Sequence, residues 1–397
     1  MRKLTLDQWE KKYIVGQIER FNSGNSMFTR PVWDPNVKDL LDDWNFTGDV
    51  KDRPGYRLED QALRWASRRG SQLMVHFNIH KPNPSPVAQA VTAAIASTSS
   101  GRPSVSGELY CPPDGVKIDT SNPERTTRII KKAAKYFGAD LVGVCKLEKR
   151  WVYSHAGGKP QEIPDKFKYA IVLAFEEEYD LIKYYPTYIA DAATSMGYSR
   201  MAIANNYLTF FIQGLGFNVI DCSTNDVAAS IPLAMQAGLG DIGRNGLLIT
   251  PQYGPRVRLS KIFTDLPLMV DSPIEFGVID FCLACEKCAR LCPSRSIMTG
   301  DRTAEPNNIS NVGGSLKWPI NAETCRTYWG RVNKPCTACI ACCPYNKLNT
   351  WPHRTTLWFT DHVRWADPFY IKMDDLFGYG KPKKPDTFWE EWKPQRL

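Results

Sequence analysis

The hydrophobic pattern is clearest between residues 106 and 270, where apolar runs of strand length alternate with helix-like stretches. Asn122 and Pro123 cap a helix that runs through Tyr136, and Gly138 ends it. The runs LVGVCKL (141–147) and YAIVLAFE (169–176) have the length and content of buried strands. A helical pattern covers 199–214, and LGF closes it before FNVIDCS (217–223), which reads as a strand. Ala228 to Ala237 reads as a further helix. This order predicts an α/β (α+β) core with helices layered on a central sheet.

The flanking stretches are less regular. Residues 1–105 mix polar and aromatic positions and end in STSSGRPSVSG (97–107). One helix is expected there, from Ser85 through Ala96, with Pro86 in its first turn. The stretch is expected to form a unit packed on the core. Residues 271–348 are rich in Cys, Gly and Pro with little helix signal. Residues 349–397 are dense in Trp, Phe, Tyr and Pro without a clear period, which suggests a tail wrapping the body.

Composition narrows the class. At 43% hydrophobic and 23% charged, the chain has the make-up of a globular protein. No run of about 18 apolar residues suits a membrane span, and MRKLTLDQWEKKY lacks the apolar stretch of a signal peptide. The net charge is +8, but KPKK (381–384) and KLEKR (146–150) are short and read as solvated surface, so nucleic-acid binding is not expected.

The cysteines change the picture most. Cys111, Cys145 and Cys222 are scattered, whereas nine more fall between Cys282 and Cys343. A disulfide framework belongs to small secreted domains rather than one segment of a large chain, so metal ligation is the better account. The first comb is Cys282, Cys285, Cys288 and Cys292 followed by Pro293. Gaps of two residues curl three thiolates around one [4Fe–4S] cube, and the fourth cysteine, before Pro, serves the neighbouring cube. A zinc site needs only four ligands, usually as two C-x2-C pairs. The second motif is irregular: Cys325, then Cys336, Cys339 and the adjacent Cys342 and Cys343 before Pro344. The crossing rule gives one cluster Cys282, Cys285, Cys288 and Cys343. The other takes Cys292, Cys336, Cys339 and either Cys342, if the comb is regular, or Cys325. Neighbouring side chains point different ways, which favours Cys325.

Two such clusters move single electrons, and a bare carrier needs only roughly 60–80 residues. Here 281 residues precede the first ligand, so a second function is expected. The run AASIPLAMQAGLGDIGRNGLLITPQYGPRVR (228–258), with KIFTDL (261–266), RWVY (150–153) and the two combs, resembles the corrinoid-dependent reductive dehalogenases. The resemblance covers about 120–348 well and the ends less specifically. A shorter part, Gly-Leu-Gly-x-x-Gly-Arg-Asn with two clusters, is shared with the epoxyqueuosine reductases of tRNA modification.

The resemblance implies a nitroreductase-like core that holds a base-off cobalamin or related corrinoid, fed with electrons by the clusters, and cleavage of a carbon–halogen bond with release of halide. It makes Tyr198 the proton donor. Arg258 is the cation that stabilises the resulting phenolate, with Arg256 as the alternative, and Asn225 orients substrate or tyrosine. The corrinoid is expected over Gly243, Asn245, Gly246, Leu247 and Leu248, where glycines permit close approach; the rival reading of that segment is a plain turn. Asp361-His362 lacks the following Gly of a cobalamin box, so His362 reads as an ordinary histidine. The substrate is expected to be a small organohalide of unspecified type, and the electron donor is left open. A small membrane-anchor protein, a homodimer and a peripheral position on the outer face of the cytoplasmic membrane are further expectations from the family. The family's twin-arginine leader is not seen, which reads as a mature form or a member that stays inside. Rival functions are an epoxyqueuosine reductase, whose relatives carry an acidic residue where Tyr198 stands, and an electron-transfer or corrinoid-reactivating protein without its own substrate.

Overall fold

The computed structural model describes residues 1–40, 50–76, 116–222 and 227–390. Strands β1 (Leu141–Lys146), β2 (Tyr169–Glu176) and β3 (Val219–Cys222) precede a short hairpin, β4 (Asp241–Ile242) and β5 (Leu248–Ile249). The last long strand is β6 (Val257–Thr264). The main sheet has the order β1–β2–β6–β3 and is antiparallel throughout. In this register Arg258 lies opposite Phe175.

Strand β2 is an unbroken apolar run because both faces of the sheet are covered. Ala170, Val172 and Ala174 face a core shared with Trp9, Tyr13, Trp151, Leu233 and Trp318. Ile171, Leu173 and Phe175 face the opposite core, with Ile130, Met201, Leu208 and Ile212. The helices supplying these layers are α1 (Leu6–Tyr13), α2 (Leu58–His76), α3 (Pro123–Tyr136), α4 (Tyr188–Gly214) and α5 (Ser230–Gln236). The predicted mixed helix and sheet class is the observed one. The expected helix at Ser85–Ala96 lies outside the described residues.

Three elements differ from the sequence expectation, each for a physical reason. Helices α1 and α2 occupy a stretch read as irregular. Thr5 and Gln8 form a capping box that starts α1, whose Trp9 and Tyr13 enter the core. Helix α2 buries Asp60, Gln61, Arg64 and Ser67, so its inward face has helical spacing but polar residues, and a search for apolar period misses it. Arg64 pairs there with Asp191 of α4, both buried. Helix α4 begins at Tyr188 rather than 199, because Ala190, Ala192, Ala193, Thr194 and Ser195 are buried on several sides and show no amphipathic stripe.

The cysteine-rich segment contains α6 (Val278–Cys285) and α7 (Ala322–Val332). The tail forms α8 (Trp351–His362) and α9 (Asp367–Leu376), hidden from a period search because Trp351, Trp358, Trp365 and Phe369 face outward. Among the described residues no helix is long and apolar enough to cross a membrane.

Candidate active site and cysteine quartets

Helix α4 carries Tyr198 over the outer end of β2 and β6. The ring packs partly into the core beneath α3, and the Arg258 guanidinium carbon stands 5.1 Å from the ring centre. Arg258 is itself held on two sides. Its Nε donates to Glu177 Oε1 at 2.8 Å and its Nη2 to Thr194 Oγ1 at 3.3 Å. Burial opposes its charge, but the Glu177 carboxylate, with Tyr198 and Asp191 adding to it, more than offsets burial and holds the guanidinium more firmly protonated than usual. Gly197 makes this approach possible: a Cβ there would meet Arg258 Cγ at 3.0 Å and Glu177 Cγ at 3.5 Å.

Arg256 is occupied elsewhere. It is fully buried, donates to Asn346 Oδ1 at 2.9 Å and to the Glu177 carbonyl at 2.5 Å, and pairs with Glu176. It ties the sheet to the segment following the second comb. Of the two arginines, Arg258 is the one over Tyr198. Asn225 lies outside the described residues. Glu177 and Thr194 were not anticipated; the available signal was a run of three acidic residues, Glu176 to Glu178, where an otherwise apolar strand ends.

The β4–β5 turn does more than a plain turn. Asn245 Oδ1 accepts from the Leu247 N–H at 3.2 Å, and its Nδ2 reaches the Cys339 carbonyl at 3.4 Å. Arg244, buried over Trp318 at 4.6 Å, donates to the carbonyls of Cys282 at 3.0 Å and Met298 at 2.9 Å. One turn thus holds both combs. The space a Cβ would fill at Gly243 is taken by Ile249, and at Gly246 by Ile320, so the protein's own packing requires these glycines. Leu247 packs with Ala193, Ile340 and Cys339, and Leu248 is buried in the core.

The cysteines gather in two quartets. Cys282, Cys285, Cys288 and Cys343 lie within electrostatic reach of one another. Cys292, Cys325, Cys336 and Cys339 form the second such group. Burial, then neighbouring thiols, pushes Cys325 up to about 12. Burial likewise raises Cys282 to about 12 and Cys336 to about 11. Cys292 is the exception: burial would raise it, but hydrogen bonds from Ser294 and Ser296 leave it lowered. Cys342 is buried beside the first quartet and capped by Gly380, whose Cβ position lies 2.7 Å from the Cys342 Cα. Cys325, not Cys342, faces Cys292 and Cys336. Apart from Cys292, these thiols resist ionisation as free groups, which suits a cluster whose positive iron stabilises thiolates. Among the described residues no group of three His, Cys, Asp or Glu is placed to hold a single metal ion.

No family model matches the chain. A tetrachloroethene reductive dehalogenase from Sulfurospirillum multivorans is 36% identical over 425 aligned positions, covering 95% of this chain and 83% of that protein. One from Desulfitobacterium hafniense is 35% identical over 318 positions, 69% of this chain and 57% of that protein. A solved reductive dehalogenase, described with a mechanism for B12-dependent dehalogenation, superposes with a TM-score of 0.62 at 30% identity. That match covers 70% of this chain and 40% of the solved one. A catabolic reductive dehalogenase shares the fold over 97% of this chain and 50% of its own, with a TM-score of 0.70 at 24% identity. The chain belongs to the reductive dehalogenase family.

Proposed function

We propose that the chain is an oxidoreductase that removes halogen from a small organohalide, replacing it with hydrogen and releasing halide. The observation that carries this reading is the Arg258–Tyr198 pair, a phenol donor under a half-buried cation, in a chain whose cysteines form two quartets. Two [4Fe–4S] clusters fit Cys282, Cys285, Cys288 and Cys343, and Cys292, Cys325, Cys336 and Cys339, because each set is a group of free thiols, Cys285 and Cys343 buried and the other six half-buried. When bound, a corrinoid would supply low-valent cobalt chemistry toward the carbon–halogen bond, and the clusters held by the two cysteine quartets would supply electrons singly.

The balance is R–X plus two electrons and one proton, giving R–H and X⁻. Tyr198 Oη delivers that proton to the carbon that loses halide. Arg258 stabilises the phenolate left behind, and the half-buried setting of both side chains strengthens that interaction relative to open water. Thr194 and Glu177 hold the guanidinium so that it needs no reorganisation during the reaction. The β4–β5 turn fixes the two combs relative to the sheet that carries Arg258.

Family membership supports, further, a small membrane-anchor partner, a homodimer and a peripheral place on the outer face of the cytoplasmic membrane. An acidic residue where Tyr198 stands would have favoured the epoxyqueuosine reductase reading.

The test is Tyr198→Phe in protein reconstituted with iron, sulfide and cobalamin. Halide release is expected to fall by at least about 100-fold, the usual contribution of a positioned acid, with iron and cobalt contents unchanged. Normal turnover in that variant would refute the assignment. Iron without cobalt uptake in the parent protein would favour the electron-transfer reading.

A further inference from the structure

Glu177 is a carboxylate with no side-chain exposure, yet only one of its oxygens is used. Oε1 accepts from Arg258, while Oε2 has no hydrogen-bond partner among the described residues. Leaving a buried charged oxygen unpaired is costly. Strand β2 could end without that cost, since Glu176 next to it reaches a half-buried position and already answers Arg256.

The other charged groups around the site are matched. Asp191, two turns before Tyr198 on α4, pairs with Arg64 of α2. Arg200, half a turn after it, pairs with Asp140 at 2.9 Å. On the α3 side the ring meets apolar core. Arg258 and Glu177 are therefore the pair that sets the field at Tyr198, and Gly197 lets both lie against the α4 backbone.

We infer that Glu177 is a positioning residue of the dehalogenation site: it anchors Arg258 over Tyr198 and limits how much of the cation's charge the phenol experiences. This inference rests on Tyr198 being the proton donor. Two requirements are met by one carboxylate. The anchor must keep Arg258 from swinging toward solvent. The counter-charge must keep Tyr198 protonated until the proton is needed, because an unopposed cation a few ångströms away favours its early loss.

The two roles separate in variants. In Glu177→Gln the amide oxygen still accepts from Arg258 Nε, but the negative charge is gone. The alkaline limb of the halide-release profile should move to lower pH by about one unit, with KM, iron and cobalt unchanged. Glu177→Asp keeps the charge on a shorter arm, so the limb should stay in place while kcat falls. In protein labelled with 15N-arginine, the Arg258 Nε–H resonance should exchange slowly in the parent and in Glu177→Gln, and be lost in Glu177→Ala. An unmoved limb in Glu177→Gln, or a limb displaced equally in Glu177→Asp, overturns the inference. Tyr198→Phe distinguishes this from failure of the parent reading. If that variant is active and keeps the limb, the donor assignment itself is wrong. If it is inactive while the Glu177→Gln limb does not move, only the role of Glu177 is wrong.

Discussion

Asp374 on α9 offers a quantitative test of how the tail is held to the first cysteine comb. Its Oδ2 lies 2.5 Å from Lys287 Nζ and its Oδ1 2.6 Å from Lys347 Nζ. Lys287 stands between Cys285 and Cys288, and both it and Asp374 are almost fully buried. Replacing Asp374 with Ala leaves two ammonium groups without that partner. Removing one member of a buried pair costs about 3–5 kcal/mol. Lys287 keeps Asp375 at 2.8 Å and the Tyr379 carbonyl at 2.7 Å, so the lower end, about 3 kcal/mol, applies. At about 1.4 kcal/mol per tenfold, detachment of α9 should become roughly 100-fold more frequent. Hydrogen exchange reads this directly. Amides of α9 should exchange roughly 100-fold faster in Asp374→Ala, while those of β2 and α4 keep their rates. Equal acceleration everywhere would mean that the triad supports the whole fold rather than a latch. Unchanged exchange in α9 would refute the energetic argument outright.

Three further outcomes are expected. Cys325→Ala should lower bound iron by about four atoms per chain, whereas Cys342→Ala should retain about eight; the reverse result reassigns the eighth ligand. Gly197→Ala adds a Cβ 3.0 Å from Arg258 Cγ, so halide release should drop at least about tenfold with a stability loss of about 1–3 kcal/mol, measured by thermal unfolding. His353 is buried, and burial holds its pKa down at about 4 against an ordinary 6.5. The unfolded chain then takes up the proton first as pH falls, so stability is lost between about 6.5 and about 4, by up to about 3 kcal/mol. His353→Leu should flatten that part of the stability curve.

What the sequence disclosed depended on the kind of signal. Strand β2 and helix α3 were legible residue by residue because their cues are local: an unbroken apolar run of strand length, and an Asn-Pro cap closed by Gly. The combs were legible because thiolate spacing is set by the size of the cluster. Pairing of Arg258 with Tyr198 was reachable only through family resemblance, since 60 residues separate them and nothing in composition marks their contact. Glu177 was missed because its importance lies in a partner across the sheet. Helix α2 was missed because its buried face is polar, and helix α4 was read short because its first three turns are buried on several sides.

These misses share a cause that bears on the site. Helix α4 is the element against which the others are registered, and small residues let its neighbours come close. Gly70 of α2 lies where a Cβ would be 2.8 Å from Ser199 Cβ, and Ser199 Oγ donates to the Ser67 carbonyl at 2.6 Å. Ala193 meets Leu247 and Ile340 beside Cys339. Gly197 admits Arg258 and Glu177. One rigid helix therefore touches the N-terminal layer, the second quartet and the proton donor's cation within two turns. A periodic apolar stripe would have bound α4 to a single layer. Buried small and polar residues distributed around it allow contact on several sides at once, which is how Tyr198 can keep a fixed place relative to both Arg258 and the cysteine quartet containing Cys339.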